Sequence, residues 1–439
     1  MKSIRTNLGL GIIGRRNHHL GGNRVRIFGL ILFSLSCLPV QSTSAQESIT
    51  DKNMRFIDYY GFPGGSSAWN SIGYNPKDNT VYVGITDHRN KVALYIYDAS
   101  KDSVHLKGFI SELANLRPFQ WQAKIHTKFV AASNGDMYFA TDGGESREEY
   151  LMDHPKGYAG GFIMKWSPSE GRITNLGMGL EYESFKDIDI DTATGKIYTI
   201  TYPQVHFLVY DPKTNEMKDY GRLGSGHVPR MMFTDRWSNC YYVDWRQRLV
   251  KYEKNSGKLV FAENSLPAFP GTPGEHIITG ITAFANDERN GVIYFITYGA
   301  KVIAFYPQQT GIGNVVDLGG VIDVPGKEKW NYYVPNLNVG NNGKLYYVIG
   351  GHGIYAKKDQ SLFVEFDPKS KTNKVLFEYP STVFVEATGC NTKDKDGNLY
   401  FAGKRNVPRS ERNKSNLAEL GDNPTVPFLV KFNPDKKVQ

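Results

Sequence analysis

Gly195-Lys196-Ile197-Tyr198-Thr199-Ile200-Thr201-Tyr202-Pro203, followed by Val209-Tyr210-Asp211-Pro212, contains both marks on which the fold turns. The first is a turn feeding an alternating strand that opens with an apolar residue and a tyrosine. The second is a strand that ends on an aromatic residue and runs into an Asp-Pro turn. Period-two alternation, β-branched and aromatic enrichment and turn residues at both ends are what a half-buried hairpin strand requires.

Working outward, the apolar-tyrosine mark recurs at Val81-Tyr82, Met137-Tyr138, Ile197-Tyr198, Cys240-Tyr241, Ile293-Tyr294, Leu345-Tyr346 and Leu399-Tyr400. The aromatic-turn mark follows each of them, at Tyr97-Asp98, Trp166-Ser167-Pro168, Tyr210-Asp211-Pro212, Tyr252-Glu253, Tyr306-Pro307, Phe366-Asp367-Pro368 and Phe432-Asn433-Pro434. Two interleaved series of seven, spaced by about 40 to 60 residues, predict an all-β, seven-bladed β-propeller with four strands per blade. A pair of β-sandwiches or a β-solenoid is the alternative, and neither explains both series. The apolar-tyrosine strand is predicted to be second from the centre and the aromatic-turn strand third. Asn175-Leu176-Gly177, Asp219-Tyr220-Gly221 and Asp317-Leu318-Gly319 then mark outermost strands. After Phe432-Asn433-Pro434 no such strand follows, whereas Ile57-Asp58-Tyr59-Tyr60-Gly61 has the pattern. The N-terminal strand is therefore expected to complete the last blade and close the ring, which removes exposed sheet edges.

The composition, 40% hydrophobic and 22% charged, is that of a globular chain with ample core. Arg24 and Arg26, the apolar run Ile27 to Val40 and Thr43-Ser44-Ala45 follow the order of a secretory signal. Residues 1–45 are read as a signal peptide cleaved after Ala45, with lipid modification at Cys37 as the alternative, and residues 46–439 as a single propeller domain. The run is too short for a membrane span. The expected location is periplasmic or secreted. Of the formal charge of +8, six positive charges (Lys2, Arg5, Arg15, Arg16, Arg24, Arg26) precede Ala45 without an acid, leaving about +2. That balance gives no reason to expect a nucleic-acid partner. Cys240 and Cys390 remain after the signal, in strands of different blades, and are expected to be buried free thiols.

Blade geometry assigns residues to a face. The loops entering the innermost strands and the loops between second and third strands open on the same side, where propellers bind ligands at a central funnel. Trp69-Asn70, Lys124-Ile125-His126, Phe185-Lys186, His227-Val228-Pro229-Arg230, His276, Pro335-Asn336 and Glu386 belong to the first set. Asp87-His88, Asp142-Gly143-Gly144, Tyr202-Pro203 with His206, Asp244-Trp245-Arg246, Tyr298-Gly299, Gly350-Gly351-His352 and Lys404-Arg405 belong to the second. With His154, this face holds seven of the ten histidines. Any one histidine there is more often a hydrogen-bonded loop residue than a catalyst, and Arg230 or Arg246 alone could bridge blades. The group of His, Arg, Lys, Tyr and Trp suits an anionic sugar, with aromatic faces for rings and cations for carboxylate or sulfate. Elimination at a uronic acid needs a cation on the carboxylate, a base for the C5 proton and an acid for the group leaving C4. Hydrolysis needs paired carboxylates, and Asp87, Asp142, Asp244 and Glu386 are scattered. Metal-ligand spacing such as HExxH is absent, so a metal would have to be assembled across blades; no metal or other cofactor is expected.

Lys124-Ile125-His126-Thr127-Lys128-Phe129, Thr201-Tyr202-Pro203, His227-Val228-Pro229-Arg230 and the Tyr-Asp-Pro turns resemble a group of secreted propellers that act on rhamnose linked to glucuronic acid. The group comprises an α-L-rhamnosidase family and L-rhamnose-α-1,4-D-glucuronate lyases, with uronate-oligosaccharide dehydratases as a neighbouring activity. The resemblance implies His126 as acid or base, Tyr202 as second proton-transfer partner and Arg230 as carboxylate clamp. His88, His206, Trp245, Arg246 and His352 would bind substrate. The rhamnosidase branch uses an early histidine in the first blade, and no histidine lies between His19 and His88 here. The expected activity is elimination, by a lyase or dehydratase, on fragments of polysaccharides such as ulvan or arabinogalactan. The enzyme is expected to be a monomer, with an anionic oligosaccharide as its partner. A rhamnosidase or a non-catalytic glycan- or protein-binding propeller are the alternatives.

Overall fold

The tyrosine that marks every second strand has a bond to make. Tyr82 donates its hydroxyl to Asp78 at 2.8 Å, Tyr241 to Asp235 at 3.0 Å and Tyr400 to Asp394 at 2.7 Å, each carboxylate lying in the turn that precedes the strand. In blades 4 and 7 the same aspartate also accepts backbone N–H groups two and four residues on and the amide of Asn239 or Asn398. A buried phenol needs a partner. In these three blades the turn carboxylate supplies it and clips the hairpin shut, whereas Tyr198 donates to the Ser238 carbonyl and Tyr346 to Glu365.

The computed structural model describes residues 53–59, 62, 64–87, 91–118, 120–143, 160–223, 230–267, 280–350, 360–379, 385–406 and 425–436. Within them the chain folds as a seven-bladed β-propeller of antiparallel sheets, and Gln46–Gln439 is one compact unit. Blade 1 runs outward through Ile72–Asn75, Thr80–Thr86, Val92–Asp98 and Ser103–Phe109. Blade 3 does so through Ser184–Ile190, Ile197–Tyr202, His206–Asp211 and Glu216–Arg222, and blade 4 through Phe233–Thr234, Cys240–Val243, Arg248–Glu253 and Lys258–Ser265. Blades 5 and 6 begin at Ile281–Asp287 and Asn336–Val339. Blade 7 is built from Val385–Cys390, Leu399–Asn406, Thr425–Phe432 and, as expected, the N-terminal Met54–Asp58, which pairs antiparallel with Thr425–Phe432.

The core lies between blades, where faces of adjacent sheets interdigitate. Phe233 and Tyr241 of blade 4 pack on Phe295 and Phe305 of blade 5, with ring centroids 5.0 to 6.0 Å apart. Cys240 and Cys390 are buried and unbridged.

Blade 2 departs from the regular pattern in a way that matters for the site. Its innermost strand is split into Lys124–Ile125 and Val130–Ala131, both paired with Met137–Asp142. Between the halves, Thr127 Oγ1 accepts from the Ala140 N–H at 2.9 Å, standing in for the missing ladder carbonyl. The innermost strand of the neighbouring blade 1 approaches so closely that a Cβ on Gly73 would lie 2.1 Å from the Phe129 carbonyl oxygen, so only glycine fits there.

Among the described residues no helix is long and apolar enough to cross a membrane.

Candidate functional site

The break in blade 2 frees His126 and Lys128 from strand alternation. A bulge between Phe185 and Asp187 does the same for Lys186 in blade 3, which becomes the extra residue opposite Thr201 and Ile200. The result is a cluster at the heads of blades 1, 2 and 3. The ring of His126 stacks on Trp69 with centroids 5.9 Å apart, and Lys186 Nζ lies 3.4 Å from His126 Nε2. The same ammonium sits 4.5 Å from the centre of the Tyr202 ring. Lys124 Nζ is 4.9 Å from the Trp69 ring and 3.8 Å from Asp142 Oδ2. Tyr202 ends its strand at a turn closed by His206 N–H to Thr201 Oγ1 and Gln204 N–H to Glu183 Oε2. Burial, then the charges of Asp142 and Glu183, push the Tyr202 phenol above its ordinary pKa, so it keeps its proton at neutral pH.

Arg230 stands at the head of the innermost strand of blade 4, just before Met231, which bridges to Ile281 of blade 5. It is 6% exposed, and its Nε and Nη2 have no hydrogen-bond partner among the described residues. It forms no ion pair with them either. Its guanidinium carbon is 5.5 Å from the Tyr333 ring, which packs against Tyr298. Burial works against the charge, but the Tyr333 and Tyr298 oxygens hold its pKa above the ordinary value. A buried guanidinium without an anion is costly, and such a group is commonly waiting for a ligand.

Beneath this cluster Lys128 crosses the central channel. Its ammonium donates to Asp187 Oδ2 at 2.7 Å and to the Met232 carbonyl at 2.8 Å, with Asp189 at 3.6 Å. Asp187 also accepts the Met232 N–H, so one ion pair ties blades 2, 3 and 4 together.

Of the expected site residues, His126 and Tyr202 are brought together through Lys186, and Arg230 lies at the same end of the blades. Trp245 and Arg246 share an exposed turn of blade 4, Trp245 being 55% exposed and the Arg246 guanidinium 5.0 Å from its ring. His206 instead turns to the outer strand, where Nδ1 is 2.8 Å from Asp219 Oδ2. His88 and His352 lie outside the described residues, as do His154, His227 and His276. Of the scattered carboxylates, Asp142 faces Lys124, Asp244 holds Arg248 at 2.7 Å, Glu386 faces Lys404 at 3.5 Å and Asp87 accepts the Lys91 N–H at 3.1 Å. Among the described residues no cluster of three or more His, Cys, Asp or Glu has the spacing to hold a metal. The sequence placed Lys186 and Trp69 on this face without an individual role and did not single out Tyr333. A signal for the first was present, since two charged residues in succession, Lys186-Asp187, interrupt the alternation of Phe185, Ile188 and Ile190.

No family model matches the chain, and no curated protein matches it. It is similar to a solved structure described as the crystal structure of RRP9 WD40 repeats, with a TM-score of 0.50 over 87% of this chain and 98% of that one, at 10% sequence identity. The likeness is one of fold.

Proposed function

We propose that this chain is an exported carbon–oxygen lyase acting on the terminal uronic acid of rhamnose- and uronate-containing oligosaccharides and leaving a 4,5-unsaturated uronate. The observation that carries the reading is Arg230, a buried cation at the head of blade 4 whose Nε and Nη2 find no hydrogen-bond partner among the described residues. A planar carboxylate satisfies such a fork through paired charge-assisted hydrogen bonds. Neutralising that carboxylate acidifies the adjacent C5 proton.

His126 takes the C5 proton. The Lys186 ammonium, 3.4 Å from Nε2, holds that nitrogen as the unprotonated acceptor and gives up its hydrogen bond as the C5 proton arrives there. The C5–H electron pair becomes the C4=C5 double bond, the C4–O bond breaks, and the departing oxygen takes a proton from the Tyr202 phenol. Rhamnose or water leaves by the same step. The Trp245–Arg246 turn offers a ring platform and a cation farther out on the same blade as Arg230. Engagement of Asp142, Asp244 and Glu386 with neighbouring cations argues against a hydrolytic carboxylate pair.

The test incubates purified protein with rhamnose-uronate oligosaccharides while following ultraviolet absorbance of the unsaturated uronate and product masses. Rising absorbance is expected, and the masses tell whether rhamnose or water left. Free rhamnose without absorbance would replace the reading with a hydrolase, and no product across a glycan panel would replace it with a binding module.

A further inference from the structure

The turn between the first and second strands of blade 4 is held by Asp235, which accepts from Trp237 N–H, Asn239 N–H, the Asn239 amide and the Tyr241 hydroxyl. Asp394 builds the same clip in blade 7, where Lys395 and Asp396 follow it. In blade 4 the corresponding positions hold Arg236 and Trp237. The Arg236 guanidinium carbon lies 4.2 Å from the indole ring. Arg236 is exposed and pairs with no carboxylate among the described residues. These turns lie at the end of the blades opposite to the heads that carry His126, Tyr202 and Arg230.

Beside this pair opens a cleft of 330 Å³ between blades 3, 4 and 5, lined among others by Thr192, Arg236, Trp237, Lys254, Asn255 and Gln309. Among the described residues no carboxylate lines it. Lys254 is anchored by Asp191, whose side chain is buried, at 3.1 Å. The cleft therefore combines, from turns of three blades, an aromatic ring, a guanidinium that pairs with no carboxylate among the described residues, an anchored ammonium, a hydroxyl and side-chain amides, the Arg236–Trp237 turn being held by Asp235. Ring stacking, anion pairing and hydroxyl recognition are the three demands of an acidic sugar chain.

We propose that this cleft is a second glycan-binding site, on the face away from the candidate active site, for a polysaccharide bearing carboxylate or sulfate groups. The choice of a glycan as ligand rests on the functional reading above; the site uses none of its residues. A site there would hold the enzyme on a polymer while the funnel works on chain ends.

Affinity electrophoresis tests it in the Arg230→Met background, so that the funnel does not contribute. The probes are polygalacturonate for carboxylate, dextran sulfate for sulfate and dextran for neither. Retardation by one or both charged polymers and not by dextran is expected, with Trp237→Ala and Arg236→Met each weakening it at least fivefold at unchanged Tm. No retardation, equal retardation by dextran, or retardation indifferent to both substitutions would overturn the proposal. Retardation of this kind, with no unsaturated product formed by the wild-type protein, would leave the second site standing and remove the catalytic reading. Product formation without retardation would do the reverse.

Discussion

The ammonium of Lys186 stands 3.4 Å from Nε2 of His126, joining the heads of blades 3 and 2. A lysine so placed fixes which imidazole nitrogen is available as acceptor. Lys186→Met is expected to lower kcat by about 10- to 100-fold with little change in KM, and Lys186→Arg to restore part of it. His126→Ala is expected to cost about 10²- to 10⁴-fold, the usual span for a proton-transfer group. Steady-state kinetics by product absorbance, run across pH, check both, and an unaltered kcat in Lys186→Met would remove the lysine from the mechanism.

Arg230 makes an unusual demand on stability measurements. A buried cation that pairs with no anion among the described residues adds little stability, so Arg230→Met is expected to hold or raise Tm while affinity for a uronate falls about 100-fold, or roughly 2.7 kcal/mol. Carboxyl-reduced substrate should bind wild type and variant alike. A marked fall in Tm would mark Arg230 as structural instead.

Lys128 behaves oppositely, because Asp187 and Asp189 close on it. Burial opposes its charge, but the two carboxylates raise its pKa above the ordinary value. Lys128→Met is expected to cost about 3 to 5 kcal/mol in urea denaturation, since it strands buried carboxylates. Adding Asp187→Asn, which keeps an acceptor for the Met232 N–H, should recover part of the loss. Additive costs would show that the pair is not coupled.

The tyrosine repeat sets the alkaline limit. Burial first, then Asp287, pushes the Tyr294 phenol up to about 12, and Tyr82, Tyr198, Tyr241, Tyr346 and Tyr400 are raised further, again chiefly by burial. Their folded pKa values exceed the unfolded value near 10. The stability linked to them is thus complete below pH 10 and lost as pH rises through the folded values. Beyond the phenolate contributed by exposed tyrosines such as Tyr182 and Tyr306, phenolate absorbance and circular dichroism are expected to change together above pH 10. Ionisation of most tyrosines while the sheet signal persists would contradict this.

Cys390 is likewise pushed up to about 12, mainly by burial, and Cys240 is raised too. Neither thiol should react with a maleimide at pH 8 until the protein is denatured.

Blade number, strand order and ring closure were readable because hairpin chemistry is local: a turn carboxylate, a tyrosine and an aromatic-proline stop lie within a few residues of one another. Which head residues meet was readable only in part. His126 and Tyr202 share a neighbour that no repeat announces, since Lys186 reaches them by a bulge whose depth depends on packing across blades. His206 illustrates the converse. It occupies the predicted loop, yet Asp219 lies one strand outward at hydrogen-bonding distance and draws the imidazole away from the funnel. Tyr333, which flanks Arg230, precedes its strand without any repeated mark.

The pairing of Met54–Asp58 with Thr425–Phe432 also sets a timetable. The earlier strand waits for the later one, with six blades between them. Until Thr425–Phe432 has been made, the growing chain carries an unpaired strand and an unfilled blade, both open to proteases and to other chains. Shutting the ring therefore requires both strands, and a copy cut short before Thr425 is exposed by its own open edges.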